Sequence, residues 1–462
     1  MIKRQVIGLA CSIMFLASLI PNPVQAAGDK KDDLATFSQT VKKDQNLDIN
    51  AAYAIDEETG QVLIDLDGHT KYGIASLTKL LSLFIVYDQI AAGRMSMDTK
   101  IPISPALSAL SVGEDLSNVP LEERDDFYTV SQLIDMVIVG SANAATTALA
   151  SYIAGSEPAF IENYMKPKLA ELGIDDYAIY TASGLSGDHL ITEDGSVSPF
   201  ENEDENALSA RDLTYLTREL IHRYPDVLAR SQQVYVDFQM NEEQSFPVGN
   251  SNLFLPGLRY ERPDVYGIKT GTEDFSGSSI VIQSEIGGRK IILTCLGAKD
   301  NDQRFIQTAN ILDSLQNKLT WQTLQIEGEL VVPESDVRVH DGRIKTVDLE
   351  YKNNAGAFFP NNYNPSQSNQ LHFSQTWQYD INGNIVVNAP LDQEKPVNTS
   401  LLSNDFYQNI EDQPGIINYL VPAENVPRVS FVVQIARLMS EMFGSWQDWL
   451  RSFLQEHQII GR

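Results

Sequence analysis

Gly73-Ile74-Ala75-Ser76-Leu77-Thr78-Lys79-Leu80-Leu81 opens a stretch ending at Gly93 in which Leu77, Leu80, Leu81, Phe84, Ile85 and Ile90 recur at helical spacing. As a helix, it sets Ser76 and Lys79 three residues apart on one face, one turn from each other. A serine hydroxyl is a poor nucleophile until a base removes its proton. A lysine can be that base only when it is neutral part of the time, and burial or a neighbouring cation lowers its pKa. The apolar flanks of this pair predict a buried cleft. Alone, the spacing is weak, because a serine and lysine on one exposed helical turn are common in long chains.

Two further motifs follow in order, Ser141-Ala142-Asn143 and Lys269-Thr270-Gly271. Ser141 can relay a proton between Lys79 and a leaving amine, while the Asn143 amide can donate to a substrate carbonyl and accept from a lysine. Lys269 offers a point charge and Thr270 a hydroxyl, both suited to a terminal carboxylate. Gly271 admits a substrate backbone lying alongside as an added strand. The backbone N–H of Thr272 can join that of Ser76 as an oxyanion hole. Lys269 is also the expected source of the charge that keeps Lys79 partly neutral.

Residues 51–55 and 62–64 flank the polar turn Asp56-Glu57-Glu58-Thr59-Gly60, a hairpin pattern. Helices are predicted over 73–93, over the alanine-rich stretch 130–153 with a break near Gly140, over 209–223 with Ser209 as cap, and over 303–319. β-branched runs at 265–269, 278–285 and 289–296 read as strands, the first ending at the Lys-Thr-Gly motif and the last two joined at Gly287-Gly288. Strands at both ends of a segment with helices between them predict an α/β sandwich in which the termini pair in one antiparallel sheet.

After Leu324 the pattern becomes short alternating runs among Asn-, Pro- and Gly-rich turns, as in a small all-β domain without catalytic residues. From Phe431, the residues Ile435, Leu438, Met442, Trp446, Trp449 and Phe453 form one amphipathic helical stripe, which suits a membrane interface, the alternative being a helix docked on the β-rich domain or on a partner. At the other end, Lys3 and Arg4 precede an apolar run over 6–20 and the small-residue site Val24-Gln25-Ala26, a secretory signal peptide too short to span a bilayer. The expected divisions are a signal peptide at 1–26, a catalytic domain at 27–322, a β-rich domain at 323–428 and an amphipathic anchor at 429–462.

Composition narrows the partners. The formal net charge is -28, with no basic run to offset it, so nucleic acid and anionic lipid are repelled. Beyond the leader Cys295 is the sole cysteine, set in an apolar strand as a small core residue. The 6 histidines show no metal-ligand spacing, and no cofactor is expected.

The ordered trio resembles that of the low-molecular-mass penicillin-binding proteins, specifically the serine D-alanyl-D-alanine carboxypeptidases. The likeness runs from about Ala51 to Leu319 and extends to Lys168-Leu169-Ala170-Glu171-Leu172-Gly173, Ser183-Gly184-Leu185 and Leu208-Ser209-Ala210-Arg211-Asp212. It implies a β-lactamase-like fold and an enzyme that removes the terminal D-alanine from peptidoglycan stem peptides, works outside the cytoplasm and is acylated by β-lactam antibiotics. By that likeness Ser76 is the acylated nucleophile, Lys79 its base, Ser141 and Asn143 the second motif, and Lys269, Thr270 and Thr272 hold substrate. The family often carries a β-rich C-terminal domain and a membrane-bound tail. Two positions depart from it, Ala144 where aspartate is common and Thr272 where a bulky residue often stands. A class A β-lactamase on the same fold would need a deacylating glutamate; Glu205 comes closest, but it belongs to an acidic run expected to be a solvated loop. A non-catalytic wall-binding protein would be expected to lack Ser76, Lys79 or Lys269.

Overall fold

A computed structural model describes residues 33–440, apart from 114–115, 192–197, 331–336, 362–369, 374–377, 380–384, 404–408, 411–415 and 432. The predicted signal peptide and the stripe beyond Ser440 lie outside the described residues.

Helix α1 (Leu34–Asp44) begins at Asp33, whose carboxylate accepts the Thr36 N–H at 2.6 Å. The hairpin read around Gly60 forms as β1 (Ala51–Asp56) and β2 (Val62–Leu66). Late strands β3 (Val265–Glu273), β4 (Gly277–Ile286) and β5 (Arg289–Ala298) complete a five-stranded antiparallel sheet in the order β2-β1-β5-β4-β3. The chain's early and late segments thus meet in mid-sheet, with Ala52 opposite Cys295. Strand β1 is buried along its whole length, as a strand covered on both faces must be.

The helical region centres on α2 (Thr78–Ala91), where every residue from Thr78 to Tyr87 is buried. A helix apolar all round belongs inside, and α2 packs against α4 (Asn143–Ala154) and α3 (Val130–Ile138). Helix α5 (Ala210–Arg223) is capped by Ser209, whose hydroxyl accepts the Asp212 N–H at 3.0 Å. It lies on the sheet, with Thr214 Oγ1 2.7 Å from Thr294 Oγ1 of β5. Helix α6 (Asn301–Lys318) also packs on β4 and β5.

Three boundaries differ from the sequence reading, and each matters for the site. The segment expected to be helical from Gly73 begins as a short strand, Lys71–Gly73, followed by a 3-10 turn at Ala75–Leu77. Ser141 and Ala142 lie outside any helix, because Ser141 adopts a left-handed φ of 55° and α4 starts only at Asn143. Strand β3 does not stop at the Lys-Thr-Gly motif. It runs on to Glu273, since Gly271, Thr272 and Glu273 keep their pairing with Ser279, Ser278 and Gly277.

Beyond α6, β6 (Leu319–Gln325) pairs with β7 (Ala355–Pro360), and two four-stranded sheets enclose a separate core that includes Val337, Leu349, Leu420 and Val426. This part is pinned to the hairpin before β2. The Gln61 amide accepts the Phe358 N–H at 2.7 Å and donates to the Phe358 carbonyl at 2.8 Å. Arg289 holds the buried Asp56 through two 2.7 Å hydrogen bonds and lies 3.6 Å over the Trp321 ring. At the C-terminal end of the described chain, residues 433–440 are helical, with Leu438 and Met439 exposed. Among the described residues no helix is long and apolar enough to cross a membrane.

Candidate active site

Ser76 sits in the 3-10 turn that leads into α2, directly after Ala75, whose φ of 48° is left-handed. Such a conformation costs an alanine about 1–2 kcal/mol, so surrounding structure has to hold it. Gly184 does part of this, because its own φ is 83° and a Cβ there would come within 1.9 Å of the Ala75 carbonyl oxygen. On the other side, a Cβ on Gly271 of β3 would come within 2.8 Å of the Ile74 carbonyl and 3.2 Å of the Leu77 nitrogen. The serine turn is therefore clamped between the Ser183-Gly184 loop and the Lys-Thr-Gly strand.

Lys79 begins the first turn of α2 and is fully buried. Its Nζ stands 2.7 Å from Ser76 Oγ, 2.6 Å from Asn143 Oδ1 and 2.7 Å from the Ser183 carbonyl oxygen. Burial holds its pKa well below the usual lysine range, and the positive charge of Lys269 lowers it further, against an opposing pull from Glu273. The charge expected of Lys269 is thus in place, though burial is the larger cause.

Lys269 is likewise buried and donates to Ser141 Oγ at 2.8 Å and to the Thr270 carbonyl at 2.8 Å. Burial, then the Arg304 guanidinium, pushes it down to about 7. Thr270 Oγ1 lies 2.7 Å from Ser251 Oγ. Thr272 is exposed, and its hydroxyl pairs with Asn301 Oδ1 at 3.0 Å and accepts from Arg304 Nη1 at 3.0 Å.

The eight residues singled out from the motifs therefore fall in one place. Ser76, Lys79 and Asn143 form one hydrogen-bonded group, Ser141, Lys269 and Thr270 another, and Gly271 packs against the serine turn itself. Thr272 extends the strand outward. Ser251 and Arg304 escaped the sequence reading, and Ser183 stood there only within a family segment, without a role. Ser183 acts through its backbone carbonyl, which no side-chain pattern can reveal. Ser251 lies in a loop without a motif. Arg304 of α6 is buried, donates to the Gly271 carbonyl at 2.8 Å and the Ser279 carbonyl at 3.2 Å, and so ties the helix to the strand.

Glu205, expected in a solvated loop, is instead half-buried against Gly73. Burial and the nearby Glu205 charge raise Glu273 to about 7. Among the described residues no cluster of histidine, cysteine or carboxylate side chains is placed to hold a metal ion.

A serine paired with a buried lysine, next to a second serine–lysine pair on a sheet edge, defines an acyl-serine hydrolase. The model of the D-alanyl-D-alanine carboxypeptidase family, peptidase S11, matches residues 38–300. DacF of Bacillus subtilis, a D-alanyl-D-alanine carboxypeptidase, is 25% identical over 65% of this chain and 69% of its own length. DacC of Escherichia coli, of the same description, is 28% identical over 66% of this chain and 67% of its own. Among solved structures, a peptidoglycan synthesis regulatory factor (PBP3) from Streptococcus pneumoniae aligns with a TM-score of 0.68 at 28% identity, covering 82% of this chain and 99% of that one. Penicillin-binding protein 5 from Haemophilus influenzae shares the fold, with a TM-score of 0.61 at 20% identity over 82% of this chain and 98% of its own. The chain belongs to the D-alanyl-D-alanine carboxypeptidase family and is a serine-type hydrolase.

Proposed function

We propose that this enzyme removes the terminal D-alanine from peptidoglycan stem peptides through an acyl-enzyme on Ser76, with Lys79 as general base. The observation that carries the assignment of roles is the set of partners around Lys79 Nζ. A neutral amine has two N–H bonds and one lone pair. Asn143 Oδ1 and the Ser183 carbonyl only accept, so they take the two N–H bonds and leave the lone pair facing the Ser76 hydroxyl.

Ser76 Oγ attacks the carbonyl of the last peptide bond as its proton passes to Lys79. The amide bond to the terminal residue then breaks, and its nitrogen regains a proton through Ser141, whose hydroxyl accepts from Lys269 at 2.8 Å. Free D-alanine leaves, and water hydrolyses the ester to restore Ser76. Lys269 and Thr270 bind the departing carboxylate, with Arg304 adding positive potential behind them. Backbone N–H groups of Ser76 and Thr272 stabilise the tetrahedral oxyanion, each worth about 3 kcal/mol of barrier in comparable sites. β-lactams enter the same path and stop at the ester, because their leaving group stays tethered.

The charged leader supports export, and the exposed apolar residues at 438–439 support a tail lying in a membrane interface on the extracytoplasmic side. The decisive experiment pairs fluorescent penicillin with a D-Ala-D-Ala-ended pentapeptide. Wild type should be labelled and release D-alanine, and Ser76→Ala should do neither; equal behaviour of the two proteins overturns the assignment.

A further inference from the structure

Glu157 is a buried carboxylate that the mechanism above does not use. It opens the short helix Glu157–Phe160 after α4, and its side chain turns inward. One oxygen accepts the Ala182 N–H at 2.8 Å and lies 3.4 Å from Thr147 Oγ1 of α4; the other accepts the Ile191 N–H at 3.0 Å. The carboxylate therefore bridges both ends of the segment 182–191. The residue next to its first contact is Ser183, whose carbonyl faces Lys79 Nζ, and the one after is Gly184, which packs on Ala75.

We propose that Glu157 is a positioning residue for acylation, acting through the 182–191 segment to hold the Ser183 carbonyl against Lys79 and Gly184 against the serine turn. A buried charge is costly and persists only where its hydrogen bonds are needed. Burial pushes the Glu157 carboxyl up to about 7, so its two backbone donors and the nearby Thr147 only partly offset desolvation. A neutral side chain would be cheaper if the only task were filling space. What two acceptor oxygens do that an apolar group cannot is fix two distant N–H groups at once. Ser82 assists from α2, donating to the Ala182 carbonyl at 2.6 Å. Ala182 is thus held at both its N–H and its carbonyl, and its neighbour's carbonyl is the only backbone atom among Lys79's three partners.

The inference rests on Lys79 being the base. In Glu157→Gln, an amide of the same shape keeps one acceptor but sets an NH2 against a backbone N–H. Rapid-mixing kinetics with fluorescent penicillin separates the binding constant from the acylation rate constant, with folded protein counted by thermal melting. The expected result is an acylation rate lowered about tenfold per folded molecule, within the range by which sub-ångström misplacement slows catalysis, and a binding constant within about twofold of wild type. An unchanged acylation rate, or losses in both constants that merely follow the folded fraction, overturns the proposal. If Glu157→Gln does not accumulate as folded protein, Ser82→Ala decides: an acylation rate lowered about threefold supports the clamp and a wild-type rate overturns it. Lys79→Ala is run alongside. Labelling that survives there overturns the base assignment, whereas a dead Lys79→Ala beside a wild-type Glu157→Gln overturns the clamp alone.

Discussion

Two lysines share one cleft, and their surroundings give them opposite tasks. Lys79 meets only uncharged oxygens within hydrogen-bond distance, and burial with the nearby Lys269 charge favours its neutral form. Lys269 lies beside the strand edge where an anionic ligand would neutralise it, and alone it titrates at about 7. Because an anion binds the charged form, affinity for a carboxylate-bearing ligand should be highest below about pH 7 and weaken as Lys269 loses its proton above that. Measuring the penicillin binding constant from about pH 6 to about 9 checks this, and a flat profile contradicts it. Ser76 and Lys79 were legible because their relation is local, three residues along one turn. Ser141 and Lys269 are 128 residues apart in sequence yet 2.8 Å apart in space, and only the ordered motifs tied them together. Arg304 had no such label, and Ser183 stood in a family segment that did not reveal its carbonyl's role, since the partners of both lie on other elements.

Among elements, the serine turn depends on what presses against it. Gly184 is the tightest contact, combining a left-handed backbone with an approach to Ala75 that leaves no room for a methyl group. Gly184→Ala should lose at least about 1–2 kcal/mol from the backbone conformation alone, and acylation should fall with it. Thermal melting and penicillin labelling of that variant test both expectations, and wild-type values for each would show that the loop does not support the turn. The sheet, the Ser209 cap and the break between α3 and α4 were readable from periodicity and capping chemistry. The extent of β3 was not, because Lys-Thr-Gly-Thr-Glu carries turn-forming and charged residues. Its pairing comes from β4 across the tight turn before Gly277, a tertiary cause invisible to local pattern. The left-handed Ser141 was similarly hidden, since the break expected near Gly140 left Ser141 and Ala142 inside the alanine-rich helix that follows.

For the molecule as a whole, the β-rich part is fastened to the catalytic sheet by polar contacts with defined geometry, the paired Gln61 amide and the Asp56–Arg289–Trp321 stack. That joint lies at the hairpin between β1 and β2, while the cleft lies along β3 at the opposite edge of the sheet. Deleting residues 430–462 should move the protein from the membrane fraction to the soluble one while penicillin labelling stays at the wild-type rate; unchanged partitioning would remove the anchor from the account. The alternating runs after Leu324 announced strands, but not that Val337–His340 would pair in parallel with Ile385–Asn388. Strand partners in a small β unit follow from the whole packing, which no single run encodes.

Cys295 sits in the middle strand of the five, fully buried, with its thiol pushed up to about 12 by its apolar surroundings. In a chain lacking the leader it is the single sulfhydryl, and a reagent such as a chromogenic disulfide can reach it only when α6, whose Thr308 lies against it, lifts from the sheet. The protein thus carries its own clock for parting of helix and sheet: the speed of thiol modification reports how often the heart of the enzyme comes apart, without any added label.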